Sequence, residues 1–371
     1  DLDGDGDLEQ ISSPFNGTAT WVARVFDWPN NVSLYEGSIS DAPNGHSYII
    51  FDVDGDTKPE IVNTHDLGWW DNVEAVNENG ETYQYLSWNA NALPNVPILT
   101  DRSRHTGNNH MVVMDYNSDG QMDLIICRPF YNVSSPMECA VLKNNQGTFT
   151  DETSLSGFDV LGGIGYWTSY GNSFASDVNN DGYPDFVTSG QGYSDGVLIM
   201  VNNGDGTFSP DDNNFGGGPS YSGNWSGRPW AASGDIDNDG LEDIIKLGPP
   251  VNGNPAALYL NNSQTTNGWL KIKVRGEVNS DGMHTKVIAR DVNTNAVITT
   301  GEIGYFTSGY QVFDLHLGVG QNFNVNLEVI YPHNGPSFTL NNVLTNPHHY
   351  NINILPDALK QKVKKRYIRT M

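Results

Sequence analysis

The chain has 371 residues, 37% of them hydrophobic and 11% aromatic, with 40 glycines and a net charge of −25. That length suits two domains, the composition suits a folded, turn-rich all-β chain, and the acidity repels polyanions, which excludes nucleic acid as a partner. No run of about 18 apolar residues occurs, so no transmembrane segment is expected.

The first element in chain order is a loop, DLDGDGDLE at 1–9. It recurs as DVDGDTKPE (52–60), DYNSDGQMD (115–123), DVNNDGYPD (177–185) and DIDNDGLED (235–243), with first residues spaced by 51, 63, 62 and 58. Each copy has Asp or Asn at positions 1, 3 and 5 and an acid at position 9; glycine holds position 6 except in the second copy, which has Thr57. A hard cation such as calcium takes about six to eight oxygen ligands. Alternate residues of a tight loop turn their oxygens inward, and glycine permits the sharp bend. The candidate ligands are Asp1, Asp3, Asp5, Glu9, Asp52, Asp54, Asp56, Glu60, Asp115, Asn117, Asp119, Asp123, Asp177, Asn179, Asp181, Asp185, Asp235, Asp237, Asp239 and Asp243, with a carbonyl near position 7 completing each shell. Eighteen of the 44 acidic residues stand at these positions, so the acidity is in large part metal chemistry. An EF-hand needs an acid at position 12, and Ser12, Asn63, Ile126, Thr188 and Lys246 stand there.

Short apolar stretches flank the loops. HSYIIF, NHMVVM and RPWAAS enter loops two, three and five, while EIVNT, DLIIC, DFVTS and DIIKL leave loops two to five. Each loop is therefore expected to join two antiparallel strands. In the last three repeats an Asn pair follows in LKNNQGTFT, MVNNGDGTF and LYLNNSQTT, beginning 29, 25 and 26 residues after the first Asp of the loop. Four short strands in about sixty residues make a propeller blade. The first loop has no strand before it in this sequence. Its partner strand is expected from upstream residues, from a stretch after the fifth repeat, or from a neighbouring molecule.

This pattern resembles the FG-GAP or VCBS-type repeat of integrin-α-like propellers, in which such a loop links the inner two strands of a blade. The resemblance implies a β-propeller over 1–266 with about five visible blades, the first incomplete, and about five structural calcium ions held by the residues named above. Thr57, Asn117 and Asn179 imply weaker sites in loops two, three and four.

Cys127 and Cys139 are the only cysteines and lie in two apolar stretches joined by a turn-rich NVSSP segment. A disulfide across a hairpin fits an oxidising compartment; two unpaired cysteines in a packed sheet remain the alternative. No triad, zinc signature or phosphate loop occurs. His105, His110, His348 and His349 are expected in loops or at edges, and Asp27, Asp66 and Asp71 have no partner in the pattern. Glycine-rich aromatic segments at 68–72, 162–173 and 216–230 serve either blade packing or a ligand face built on Trp69, Trp70, Trp167 and Trp225. Sequons place candidate glycans at Asn16, Asn31, Asn132, Asn224 and Asn261.

After Asn262 the loop motif stops. Alternation in WLKIKV and NVNLEVIY predicts half-buried strands of a small β-sandwich-like domain over 267–355. This stretch is similar to the ASPIC/UnbV-type module that trails such propellers in cartilage acidic protein-like chains. The likeness rests on Trp269–Leu270–Lys271, Asn279 with Gly282, the Gly304-to-Gly320 block, and Tyr331–Pro332 with Gly335. It departs at HTKV (284–287) and at Tyr331, where a Trp is usual. The tail 356–371 holds six of the 19 basic residues, with Leu359, Val363 and Tyr367 at helical spacing. It is expected as a docked terminal helix or frayed tail, or as a cationic arm on the acidic surface of a neighbouring copy. The function expected is a non-enzymatic, calcium-stabilised extracellular module for structure or adhesion, bound to other copies of itself or to extracellular protein or glycan. A lectin-like propeller and a polysaccharide-active enzyme are the alternatives.

Overall fold

The computed structural model describes residues 10–12, 20–27, 32–40, 48–63, 68–76, 82–89, 93–96, 110–128, 138–158, 172–189, 197–211, 230–251, 254–275, 282–304, 306–307, 310–311, 314–333, 335, 337–345 and 351–354. Loop one, the tail 356–371, Trp167, Trp225, Asn16, Asn31, Asn132, Asn224, His105, His348, His349 and Asp66 lie outside them, so those expectations concern residues not described. The chain is all-β, and among the described residues one turn of helix, α1 (Thr153–Ser156), interrupts the strands.

Five antiparallel sheets follow one another along the chain. The first holds β1 (Gln10–Ser12), β2 (Thr20–Asp27) and β3 (Val32–Ser40). The second holds β4 (Tyr48–Phe51), β5 (Glu60–Asn63), β6 (Gly68–Val76) and β7 (Thr82–Asn89). The third holds β8 (His110–Met114), β9 (Asp123–Arg128), β10 (Glu138–Asn145) and β11 (Thr148–Asp151). The fourth holds β12 (Ser173–Ser176), β13 (Asp185–Ser189), β14 (Val197–Asn202) and β15 (Phe208–Pro210), and the fifth β16 (Trp230–Gly234), β17 (Asp243–Val251) and β18 (Asn254–Tyr259). Loops two to five join the first two strands of their sheets as expected, pairing Phe51 with Glu60, Met114 with Asp123, Ser176 with Asp185 and Gly234 with Asp243.

Strands such as MVVM and LIIC are apolar at consecutive residues because both faces of the sheet are covered. On one face of the third sheet Met111, Val113, Leu124 and Ile126 meet Ile49, Phe51, Val62 and Trp69 of the second. On the other face Val112, Met114, Ile125, Cys127 and Val141 meet Phe186, Leu198 and Met200 of the fourth. The fourth meets the fifth through Phe174, Val187 and Ile199 against Ala231 and Ile244. No closed ring is detected among the described strands.

The C-terminal residues form two larger sheets and one short ribbon. One sheet orders β24 (Leu315–Gly320), β19 (Gly268–Val274) and β27 (Asn351–Ile354). The other orders β21 (Val297–Glu302), β20 (Lys286–Asp291), β25 (Asn324–Ile330) and β26 (Ser337–Leu344). The ribbon pairs β22 (Phe306–Thr307) with β23 (Tyr310–Gln311). Leu270, Ile272, Val287, Leu317 and Leu327 share one buried core between the larger sheets, which therefore form a sandwich. This sandwich rests on the loops of the repeat array. Ser118 Oγ donates to the Ile298 carbonyl at 3.0 Å, the Gly320 N–H to the Asn180 carbonyl at 2.9 Å, and the His333 N–H to the Thr57 carbonyl at 2.8 Å. Glycine at 318 permits the closest approach, since a Cβ there would overlap the Asp177 carboxylate.

Candidate metal loops

Loops two to five share one backbone design. The side chain at position 3 accepts the N–H of position 5, as Asn117 does from Asp119 at 3.0 Å and Asn179 from Asp181 at 2.8 Å. The side chain at position 5 accepts the N–H of position 7, as Asp119 does from Gln121 and Asp239 from Leu241, both at 2.9 Å. These short-range bonds curl the loop and gather its oxygens on the inside. The curl needs left-handed backbone at two positions. Position 6 has φ +89°, +95° and +95° at Gly120, Gly182 and Gly240, and Thr57 is forced to +74°. Position 4 is left-handed as well, with Gly55, Ser118, Asn180 and Asn238 there.

Position 9 is the anchor. Glu60, Asp123, Asp185 and Asp243 are fully buried, and each accepts the N–H of position 2 of its own loop, from Val53, Tyr116, Val178 and Ile236. In loops three to five the second oxygen of that carboxylate accepts the N–H of the first Asn of the later pair, Asn144, Asn202 or Asn261, each at 2.8 Å.

Those asparagines are the functional residues that the loop pattern alone does not reveal. The Asn144 amide donates to the Val53 carbonyl at 2.7 Å, Asn202 to Tyr116 at 2.8 Å and Asn261 to Val178 at 2.7 Å. Each therefore reaches position 2 of the preceding repeat's loop. The same amides also donate to position 8 of their own loops, at Met122, Pro184 and Glu242. One buried side chain thus ties two successive loops together. The recurrence of the pair at nearly constant distance from each loop is the signal in the sequence that points to them.

The electrostatics call for cations. Burial pushes the Asp115 carboxyl up to about 6 and raises Glu60, Asp123, Asp177 and Asp185 well above their ordinary values. Carboxylates taken out of water are costly as anions unless a positive charge compensates. Oxygens of Asp52, Asp54 and Glu60 lie within 4.8 Å of one another, as do those of Asp235, Asp237 and Asp239. Glu60 Oε1 is buried with no hydrogen-bond partner, although its other oxygen accepts from Val53. An all-oxygen set with one buried oxygen unclaimed fits a hard divalent cation such as calcium. Asp71 adds to this field: burial raises its pKa first and Asp56 second.

Other expected sites are placed differently. Cys127 and Cys139 pair across β9 and β10 and form a disulfide. Trp69 is 3% exposed and packs edge-to-face on Phe149 at 5.8 Å, so it belongs to the core between sheets and not to a ligand face. Trp70 stands on β6 opposite Ile61 and Trp88. Asn261 is 2% exposed with its amide spent on two carbonyls, which leaves no room for a glycan. His110 opens β8, the outermost strand of its sheet, and not a loop, and the neighbouring sheet covers it. It is buried in β8, 3.2 Å from Ser173 Oγ, and burial lowers its pKa to about 4.

A cavity of about 80 Å³ lies between loops and sandwich, lined among others by Met114, Asp177, Glu242, Asp314 and His316. Burial raises Glu242 to about 7, Ser176 donates to it at 2.5 Å, and His316 stacks on Trp269. No helix among the described residues is long and apolar enough to cross a membrane.

A family model for the FG-GAP-like repeat matches residues 115–188 and 177–246, two stretches that together carry loops three to five. No curated protein matches the chain.

Proposed function

We propose that the chain is a calcium-stabilised, non-enzymatic module of propeller type, working outside the cell by adhesion and assembly with other copies of itself or with extracellular protein or glycan. The repeat loops would hold calcium as a structural ion, and the C-terminal sandwich would be of the ASPIC/UnbV type. The observation that carries the binding role is the outer face of the fifth sheet. Ile245 and Leu247 stand at the same offsets from their loop as Ile125 and Cys127, which pack against the next sheet. In the fifth sheet that face is exposed: Leu247 is 52% and Leu258 50% accessible, flanked by Trp230, Ile245 and Leu260. Cross-strand register puts Ile245 opposite Leu258 and Trp230 opposite Leu247, so these side chains form one contiguous apolar patch. A surface built to receive another sheet of the same kind supports association. Light scattering over a concentration series, comparing the chain with a Leu247→Ser/Leu258→Ser variant, tests this. Concentration-dependent mass in the first and monomer in the second is expected; the same monomer for both at every concentration overturns it.

A further inference from the structure

Loop two differs from its neighbours in what stands against its first aspartate. In loops three and four, the two oxygens of Asp115 and Asp177 accept the N–H groups of positions 5 and 6, from Asp119 and Gly120 and from Asp181 and Gly182. In loop two Asp52 Oδ1 accepts the Gly55 N–H at 2.9 Å, and Oδ2 faces the Lys286 ammonium at 3.2 Å. Lys286 comes from β20 of the C-terminal sandwich, 234 residues away, and both partners are buried. The same domain holds the Thr57 carbonyl through the His333 N–H.

The charge count makes this contact consequential. Loop two has four carboxylates, Asp52, Asp54, Asp56 and Glu60, whereas loops three and four each replace one by asparagine. Ligand charge alone would make loop two, like loop five with its four aspartates, a tighter divalent site than loops three and four. A buried ammonium on one ligand removes that advantage, because it repels an incoming divalent ion at short range and occupies a lone pair that the ion would use. We propose that Lys286 is a tethered counter-cation that makes loop two a weaker divalent site than loops three and four and ties its occupancy to the docking of the C-terminal domain. The inference rests on the calcium reading of the loops and adds to it a specificity residue drawn from another domain.

Hydrogen exchange of the intact chain, read by mass spectrometry across a calcium titration of stripped protein, tests it. Peptides covering 53–60 are expected to gain protection at higher calcium than those covering 116–123 and 178–185. In Lys286→Met, which keeps length and removes charge, the midpoint for 53–60 falls about tenfold or more while the other two stay fixed. Lys286→Arg keeps the high midpoint. An unchanged or higher midpoint in Lys286→Met overturns the proposal, and so does loop two filling first or together with the others in the unsubstituted chain. That second measurement stands if the variant does not fold. Calcium protecting no loop at any concentration overturns the metal reading itself, an outcome distinct from loops three and four responding normally.

Discussion

The Asn202 amide donates a hydrogen bond of 2.8 Å to the carbonyl of Tyr116, 86 residues earlier. Sheet contact alone could slide; this bond, repeated by Asn144 and Asn261, fixes where one repeat sits on the next. Asn202→Ala therefore leaves buried carbonyls of Tyr116 and Pro184 without their donor and should cost about 2–3 kcal/mol. Asn203→Ala, whose amide donates to the Thr207 hydroxyl and accepts from the Ser209 hydroxyl, both in exposed bonds, should cost less than about 1 kcal/mol. Urea denaturation of both variants checks this, and equal losses would remove the stapling role.

Chelation should lower the melting temperature. A site filled at a hundredfold excess over Kd contributes about 2.7 kcal/mol, and several sites act on one fold. Calorimetry with and without EDTA reads the effect. An unchanged melting temperature would falsify the calcium assignment.

Stripped of metal, the protein should lose stability as pH rises. Burial lifts the Asp115 carboxyl to about 6, and raises Glu60, Asp123, Asp177 and Asp185, so the fold binds more protons than the unfolded chain. The penalty for ionising Asp115 is absent below its unfolded value of 3.8, grows through the interval, and is complete above about 6. Saturating calcium favours the ionised carboxylates and reverses the trend. Thermal melts at about pH 5 and pH 7.5, with and without calcium, should therefore slope in opposite directions; parallel slopes would contradict the buried carboxylates as the cause.

Thr57→Gly should stabilise the chain by about 1 kcal/mol, because a β-branched side chain at φ +74° is strained and glycine is not. Gly120→Ala, at φ +89°, should move stability the other way by a similar amount. Chemical denaturation decides, and a destabilised Thr57→Gly would mean that the threonine side chain contributes more than its backbone costs.

Reduction of the Cys127–Cys139 bridge should cost roughly 2–3 kcal/mol, from a closed loop with a sequence separation of 12. A Cys127→Ser/Cys139→Ser variant that melts with the oxidised protein would show that the strand pairing alone suffices.

The loops are legible in the sequence because their chemistry is local: alternate acids, a glycine for the bend, and strands on either side. The strands expected around loops two to five match β4–β5, β8–β9, β12–β13 and β16–β17 for the same reason. What stays hidden is long-range. Asn144, Asn202 and Asn261 read as turn residues, and nothing near them in the chain names the carbonyls they reach. Lys286 opens the strand β20, and only the docking of the sandwich brings it to Asp52. Trp69 and His110 escape a local reading because an aromatic beside glycine, or a histidine beside a loop, looks exposed until the neighbouring sheet covers it.

The backward reach of the asparagines also sets an order of events during synthesis. Loop three leaves the ribosome complete at Asp123, yet the side chain that clasps its second residue is Asn202, a whole repeat later. Every loop so clasped must wait, half-finished, for its successor to be translated, and a ribosome stalled within one repeat leaves the previous one unlatched. Loop five meets the sandwich as well, with Trp269 packed beside Gly240, so that contact forms only when the C-terminal domain has been made.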